Sequence, residues 1–561
     1  MTSLRVVAVL LLQAVSLVAA TPPREWVPLR WDGGPLELVR RERVMIREAE
    51  ERRIADEALK NATRVVGGWS AHYVPLNPKN GPERPLSREQ EQAIRDWYQP
   101  KTLSLLDHSP YNCVLLTWSL GESAEFESAQ RAAAGGYAAK LREEGLVVLA
   151  VIEPGAGWQP AVEAAAGLFD GVVLEGEFPE GAAQQALETL HRKNPDALVI
   201  PMTSWERIHR DTRFPVLAGN SGIWPGMLTP TEAQGFGAGP TSNPWVLSNG
   251  WQVGALRAGE TGRAVWMAHR PNPRKPQPLE LQDYLRAVAD SGMAGASWVV
   301  AVGNEWRPGL FSGDKAALEE WRRLGEYVLF FQEQNRDFSE YEVSPSVLIV
   351  HDPSDQSQFD SFDILNMLAV RQIPHRVLLR PDLRPAEIEK KTKVLAFDLA
   401  PPRPPEYDTL QFFTSSGGTL VTGPRWWLEQ EQEGPNFKRV IAGAGSIRTF
   451  ATKEAMDSDR FSRAMRDLVD QKRAAPKMFN VGTIISLYRF DPATNRALVQ
   501  MTEYGDFPTE NVTIKIPRKV SRAELRAFGK EPQELKIYDG QDGGSEIDVP
   551  KVPFYCAIIV D

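Results

Sequence analysis

Between about residues 110 and 335 the chain alternates short apolar runs with stretches whose apolar residues recur at helical spacing. The runs 112–119, 146–153, 171–178, 197–204, 214–220, 263–270 and 297–303 are apolar through their middles. The stretches 124–144, 182–193, 279–291 and 315–334 read as helices, with shorter ones around Val162 and Trp251. In 279–291, for example, Leu281, Tyr284, Leu285 and Val288 fall on one face. Strands apolar on both sides and separated by amphipathic helices belong to a parallel sheet that is covered on both faces. Seven such units, with an eighth strand from the run 26–40, predict an α/β fold built on a (β/α)8 TIM barrel over 21–340. Ahead of the regular rhythm, the pattern predicts helices over 41–61 and 87–106, around a Gly/Pro-rich loop at 67–85.

A second rhythm starts after Tyr341. Apolar runs at 346–351, 374–379, 393–398 and 419–423, with helices at 359–371 and 405–416, predict a smaller α/β domain over 341–475. Over 476–561 the period changes to two: short runs at 484–490, 497–502, 512–516 and 554–560 alternate apolar and polar residues. That pattern predicts a small antiparallel β-sandwich, with one short helix near 521–528.

The first twenty residues stand apart. Arg5 precedes an apolar core, Val6 to Val18, broken only by Gln13 and Ser16, and Val18-Ala19-Ala20 supplies the small residues of a cleavage site. This predicts a signal peptide over 1–20 and a secreted or periplasmic protein. No later segment is apolar for long enough to predict a membrane span. The net charge of -9 over 561 residues argues against nucleic acid as a partner, because phosphate contacts need clustered Lys and Arg. The two cysteines, Cys113 and Cys556, sit in apolar runs and read as core residues; the seven histidines are scattered, so neither metal nor cofactor is expected. Tryptophan changes the picture: fourteen of the 16 lie between Trp26 and Trp321. An indole suits the flat apolar face of a sugar ring, and its N–H wants a partner in a core.

The order barrel, α/β unit, β domain resembles glycoside hydrolase family 42, and the local match is best at Gly417-Gly418-Thr419-Leu420-Val421 with Gly423-Pro424. The resemblance implies a flavodoxin/amidotransferase-like middle domain that serves in oligomerisation, here without a nucleophilic cysteine. The barrel departs from that family at the acids. No Asn-Glu ends the fourth predicted barrel strand, and 263–270 ends in Ala-His-Arg. A shorter likeness links Phe169-Asp170-Gly171 through Glu175-Gly176-Glu177-Phe178-Pro179 to the strand-4 signature of family 18 glycosidases. It implies Glu177 as catalytic acid and Glu175 as the carboxylate that assists it.

Barrel sites lie at the C-terminal ends of the strands, and glycoside hydrolysis needs two carboxyl groups there. The candidates are Glu153, Glu175, Glu177 and Glu305. If the strand 171–178 is continuous, Glu175 and Glu177 point the same way, ~7 Å apart. The working assignment makes Glu177 the acid and Glu305 its partner, with Glu175 tuning the acid and Glu153 in reserve. Trp118, Trp158, Trp205, Trp266, Trp298 and Trp306, at or just past strand ends, are the expected cleft walls. His72, His269 and Arg270 are expected to bind hydroxyls or a carboxylate. The expected activity is hydrolysis of an oligo- or polysaccharide. The alternatives are a carbohydrate-binding barrel without turnover and a structural or assembly protein.

Overall fold

The computed structural model describes residues 23–32, 53, 92, 95–121, 124, 127–204, 211–228, 245–258, 262–270, 279–303, 306–343, 347–352, 358–388, 394–397, 402–423, 431–433, 437–450, 458–471, 476–540 and 543–561. The predicted signal peptide, the loop 67–85 and all but residue 53 of the predicted helix 41–61 lie outside them.

Eight parallel strands close on themselves. They are β1 Pro28–Arg30, β2 Cys113–Ser119, β3 Val147–Ile152, β4 Gly171–Glu175, β5 Leu198–Thr203, β6 Val216–Gly219, β7 Ala264–Met267, and β8, which runs as Ser297–Trp298 and Val300–Ala301. The first half of β8 pairs with β7 and the second half with β1, which completes the circuit. The eighth strand is thus β1, three residues long, inside the run where the sequence predicted it.

Period-two alternation assigns the two faces. Cys113, Leu115, Leu149, Val151, Val173, Ile200, Met202, Val216, Ala218, Trp266 and Ala268 fill the barrel interior. Their neighbours, such as Val148, Ala150, Ile152, Val172 and Leu174, face the helices. Trp26, just before β1, packs on Trp266 at 6.2 Å and closes the floor at the N-terminal end. The surrounding helices are α1 Ser128–Glu143, α2 Trp158–Ala165, α3 Ala182–His191, α4 Gly250–Arg257, α5 Leu281–Met293 and α6 Lys315–Asp337. Helix α5 starts on a capping box between Glu280 and Asp283, and α6 on Asp314, which accepts the Ala317 N–H at 3.0 Å.

The middle sheet contains β9 Val347–His351, β10 His375–Leu379, β11 Val394–Phe397 and β12 Thr419–Thr422, in the order β10-β9-β11-β12. This is the flavodoxin-like arrangement, extended by Gly445–Phe450 and an antiparallel hairpin partner, Phe437–Ala442. The last section forms a six-stranded and a four-stranded antiparallel sheet, face to face over a core of Val499, Met501, Ile514, Ile547 and Ile558. The short strand Glu342–Val343 leaves the barrel and joins the larger of these sheets before the chain enters the middle sheet.

Three local expectations change. The stretch 521–528 is not helical: Ala523–Arg526 is a strand, tied into the sheet beside Tyr555–Val560. Sheet pairing outweighs a weak helical pattern there. The predicted helix 87–106 shows helix at 92 and 95–97 and then becomes a 3-10 turn, Pro100–Leu105, because Pro100 supplies no N–H to continue it. Strand 171–178 ends at Glu175. Gly176 follows at φ 125°, a region closed to side chains, so the chain turns before Glu177.

Candidate active site at the barrel mouth

Apolar filling gives way to polar residues at the C-terminal end of the barrel. The alternation that points Val151 and Val173 inward continues to Glu153 and Glu175, and that of Cys113 and Leu115 continues to Thr117. Ile152 pairs with Leu174, and the Glu153 N–H donates to the Ser119 carbonyl at 2.9 Å. Glu153 and Glu175 therefore stand side by side on neighbouring strands. With Arg30 and Asp32 from the end of β1, these residues are all at most 7% exposed. Buried charge at this density is costly unless it is paired.

It is paired through Arg30. Its Nη1 lies 3.0 Å from Glu175 Oε2, its Nε donates to Asp32 Oδ1 at 3.0 Å, and its Nη2 donates to Thr117 Oγ1 at 2.8 Å. Asp32 is held in turn by the Thr117 N–H at 2.6 Å and by the Tyr98 hydroxyl. Burial, then the Asp32 charge, push the Tyr98 phenol well above its ordinary range, so it stays a donor. Stacked Trp31 and Trp97, with ring centroids 5.0 Å apart, exchange indole N–H bonds to each other's carbonyls and fix Tyr98 under Asp32.

On the far side, Arg270 reaches over from the end of β7. Its Nη2 is 3.5 Å from Glu153 Oε2, and a Cβ on Gly176 would lie 3.6 Å from its Nη1. The Arg270 side chain is 43% exposed, the most open of the charged groups in the mouth. Beside it, His269 contacts the Gly222 carbonyl through Nδ1 at 2.8 Å, and burial lowers its pKa. A neutral ring donating from Nδ1 leaves Nε2 as an acceptor. Trp224, half-buried, lies 5.5 Å from His269 and 5.2 Å from Trp298 between ring centroids.

Among the residues singled out from sequence, Glu153, Glu175, His269 and Arg270 meet at this mouth. Glu177 does not. It lies past the strand end, exposed, beside Phe178, Pro179 and Ala182 on the outer side of the barrel wall. Glu305, Trp205 and His72 lie outside the described residues. The remaining tryptophans are core residues. Trp266 is fully buried inside the barrel. Trp118 donates to the Ala161 carbonyl at 2.9 Å under α2, and Trp158 packs edge-on to Phe178. Trp306 stacks on Tyr284 at 4.7 Å, and Trp298, 4% exposed, lies behind Trp224. Strand-end position alone does not bring a side chain to the mouth: Trp118 and Trp298 face the helices, and Trp266 points into the packed barrel interior. Arg30, Asp32, Thr117, Tyr98 and Trp224 were not singled out. A signal existed for the first two: Arg30 and Asp32 are charges closing an otherwise apolar run. Cys113 and Cys556 are buried free thiols, as expected. Among the described residues, no group of His, Cys, Asp and Glu is arranged to hold a metal, and no helix is long and apolar enough to cross a membrane.

No family model matches the chain, and no curated protein matches it in sequence. Its fold does have solved relatives. An α-L-fucosidase isoenzyme 2 from Paenibacillus thiaminolyticus superposes with a TM-score of 0.54 at 12% identity, over 84% of this chain and 96% of that one. A β-galactosidase from Rahnella sp. R3 gives 0.51 at 10% identity, over 82% and 95%. The chain thus has the fold of multidomain TIM-barrel glycoside hydrolases, β-galactosidases among them, as its domain order suggested.

Proposed function

We propose that the chain is an exported glycoside hydrolase whose working carboxylates are Glu175 and Glu153. The observation that carries this reading is the pair itself: two buried acids, side by side, at the end of the barrel where barrel enzymes work. Glu175, oriented by Arg30, takes the role of nucleophile or base. Glu153, whose contact with Arg270 is longer, takes that of proton donor. Neighbouring strands are about 4.8 Å apart, which suits the ~5–5.5 Å carboxyl separation of a retaining mechanism. Trp224, His269 and Arg270 supply a ring face, an acceptor and a cation for the sugar. Export rests on residues 1–20, and mature protein beginning at Thr21 would support it. Self-association through the middle domain rests on the family 42 resemblance.

A second reading is a barrel that binds carbohydrate without cutting it. It is favoured by the end of β7, which presents His269 and Arg270 in place of an acid. Screening purified protein against aryl glycosides and a polysaccharide panel separates the readings. Hydrolysis supports the first, binding without turnover the second, and oligomers with neither support an assembly role.

A further inference from the structure

A cavity of about 1530 Å³ lies away from the mouth. It lies at the opposite, N-terminal end of the barrel, where α4 and α5 end, and is walled by all three domains. The barrel contributes Trp26 and Arg257, the middle sheet His375, and the C-terminal sheet Tyr488 and Arg489.

Two guanidinium groups meet there. Arg489 donates through Nη2 to the Met293 carbonyl at 2.6 Å, and Arg257 donates through Nη2 to the Gly295 carbonyl. Both therefore sit on the C-terminal turn of α5. Gly295 has φ 86°, and a Cβ there would come within 3.0 Å of three Arg257 guanidinium atoms, so a glycine is required for that cation to lie flat on the backbone. The Arg489 Nε is buried without a hydrogen-bond partner. Five carboxylates line the same cavity, Glu25, Glu333, Glu342, Asp382 and Glu387. Among the described residues none forms an ion pair with either arginine.

Arg263, Arg336, Arg376 and Arg384 line the cavity as well, so six arginines stand against the five carboxylates. Next to Arg257 and Arg489 themselves, the negative charge is the roughly half charge of a helix C-terminus, and it faces two full positive ones. Burial and the neighbouring Arg257 push the Arg489 guanidinium down to about 10. Two like charges held together in this way call for a counter-charge.

We propose that this interdomain cavity is an anion-binding site in which Arg257 and Arg489 together hold an oxyanion, either a free inorganic ion or the acidic group of a carbohydrate. Guanidinium forks match carboxylate, sulfate and phosphate oxygens in pairs. The volume leaves room for more than the ion itself. The site is independent of the carboxylates at the mouth, so its test does not depend on turnover.

The experiment is calorimetric titration of the full-length protein at fixed ionic strength with sodium sulfate, sodium phosphate and sodium glucuronate, against sodium chloride as control. Arg257→Met, Arg489→Met and Arg489→Lys variants are titrated alongside. Saturable binding is expected for at least one oxyanion, weakened roughly tenfold or more in each Met variant and less in Arg489→Lys. Tightest binding of glucuronate identifies an acidic sugar, and tightest binding of sulfate or phosphate an inorganic ion. Arg489→Lys keeps the charge and reports on the site even if a Met variant fails to fold. Overturning results are no saturable heat with any oxyanion, or affinities unchanged by the substitutions.

Discussion

At the scale of single residues, Arg30 holds the mouth together. One guanidinium bonds Glu175, Asp32 and Thr117, so its loss takes the shared cation from two buried carboxylates. Removing one partner of a buried ion pair typically costs about 3–5 kcal/mol. Arg30→Met is expected to lower unfolding free energy by about that much, measured by urea denaturation, whereas Arg270→Met should cost less, about 1 kcal/mol, because the Arg270 side chain is 43% exposed and its contact with Glu153 is long, 3.5 Å. Equal losses in the two variants would mean that the network contributes nothing through burial. Little of this was legible beforehand. Glu153 and Glu175 stand out as acids ending apolar strands, but Tyr98 and Thr117 carry no mark in the sequence, because their role exists only once β1 and β2 are paired.

At the scale of elements, most of the barrel could be read because continuous apolar strands and amphipathic helices are strong signals. What failed were ends and exceptions. The period-two argument that grouped Glu175 with Glu177 assumed a continuous strand, and the positive φ of Gly176 ends it. Another glycine reports on helix packing. Helix α5 crosses α6 at Gly292, where a Cβ would lie 2.4 Å from a Phe331 ring carbon. Alanine is favoured over glycine within a helix by about 1 kcal/mol, but overpacking costs about 1–3 kcal/mol, and the ring cannot retreat through its own helix. Gly292→Ala should therefore destabilise, as a lower midpoint in thermal unfolding; a raised midpoint would show that the two helices can move apart.

At the scale of the whole molecule, the C-terminal sandwich is fastened to α5 through Asp290. It accepts bonds from the Tyr504 hydroxyl and the Asn249 N–H, the latter at 2.7 Å, and is fully buried. Burial raises its pKa to about 6, against the lowering effect of those bonds. The folded state thus favours the protonated acid. Its contribution is complete below the unfolded value of 3.8 and is lost as pH rises through about 6. Wild-type stability should fall between about pH 4 and 7 relative to Asp290→Asn, by on the order of 3 kcal/mol. Parallel stability curves for the two proteins would contradict that account.

The whole molecule is a glycosidase-type barrel carrying two further domains, and the account turns on whether the paired acids at its mouth cut a sugar. The most direct measurement compares turnover and binding of the best aryl glycoside for wild type, Glu175→Gln and Glu153→Gln, with thermal unfolding confirming that each variant is folded. The account predicts that wild type hydrolyses the substrate, while both variants bind it and lose roughly 10²–10⁴-fold in kcat. Folded variants that retain wild-type kcat would contradict it.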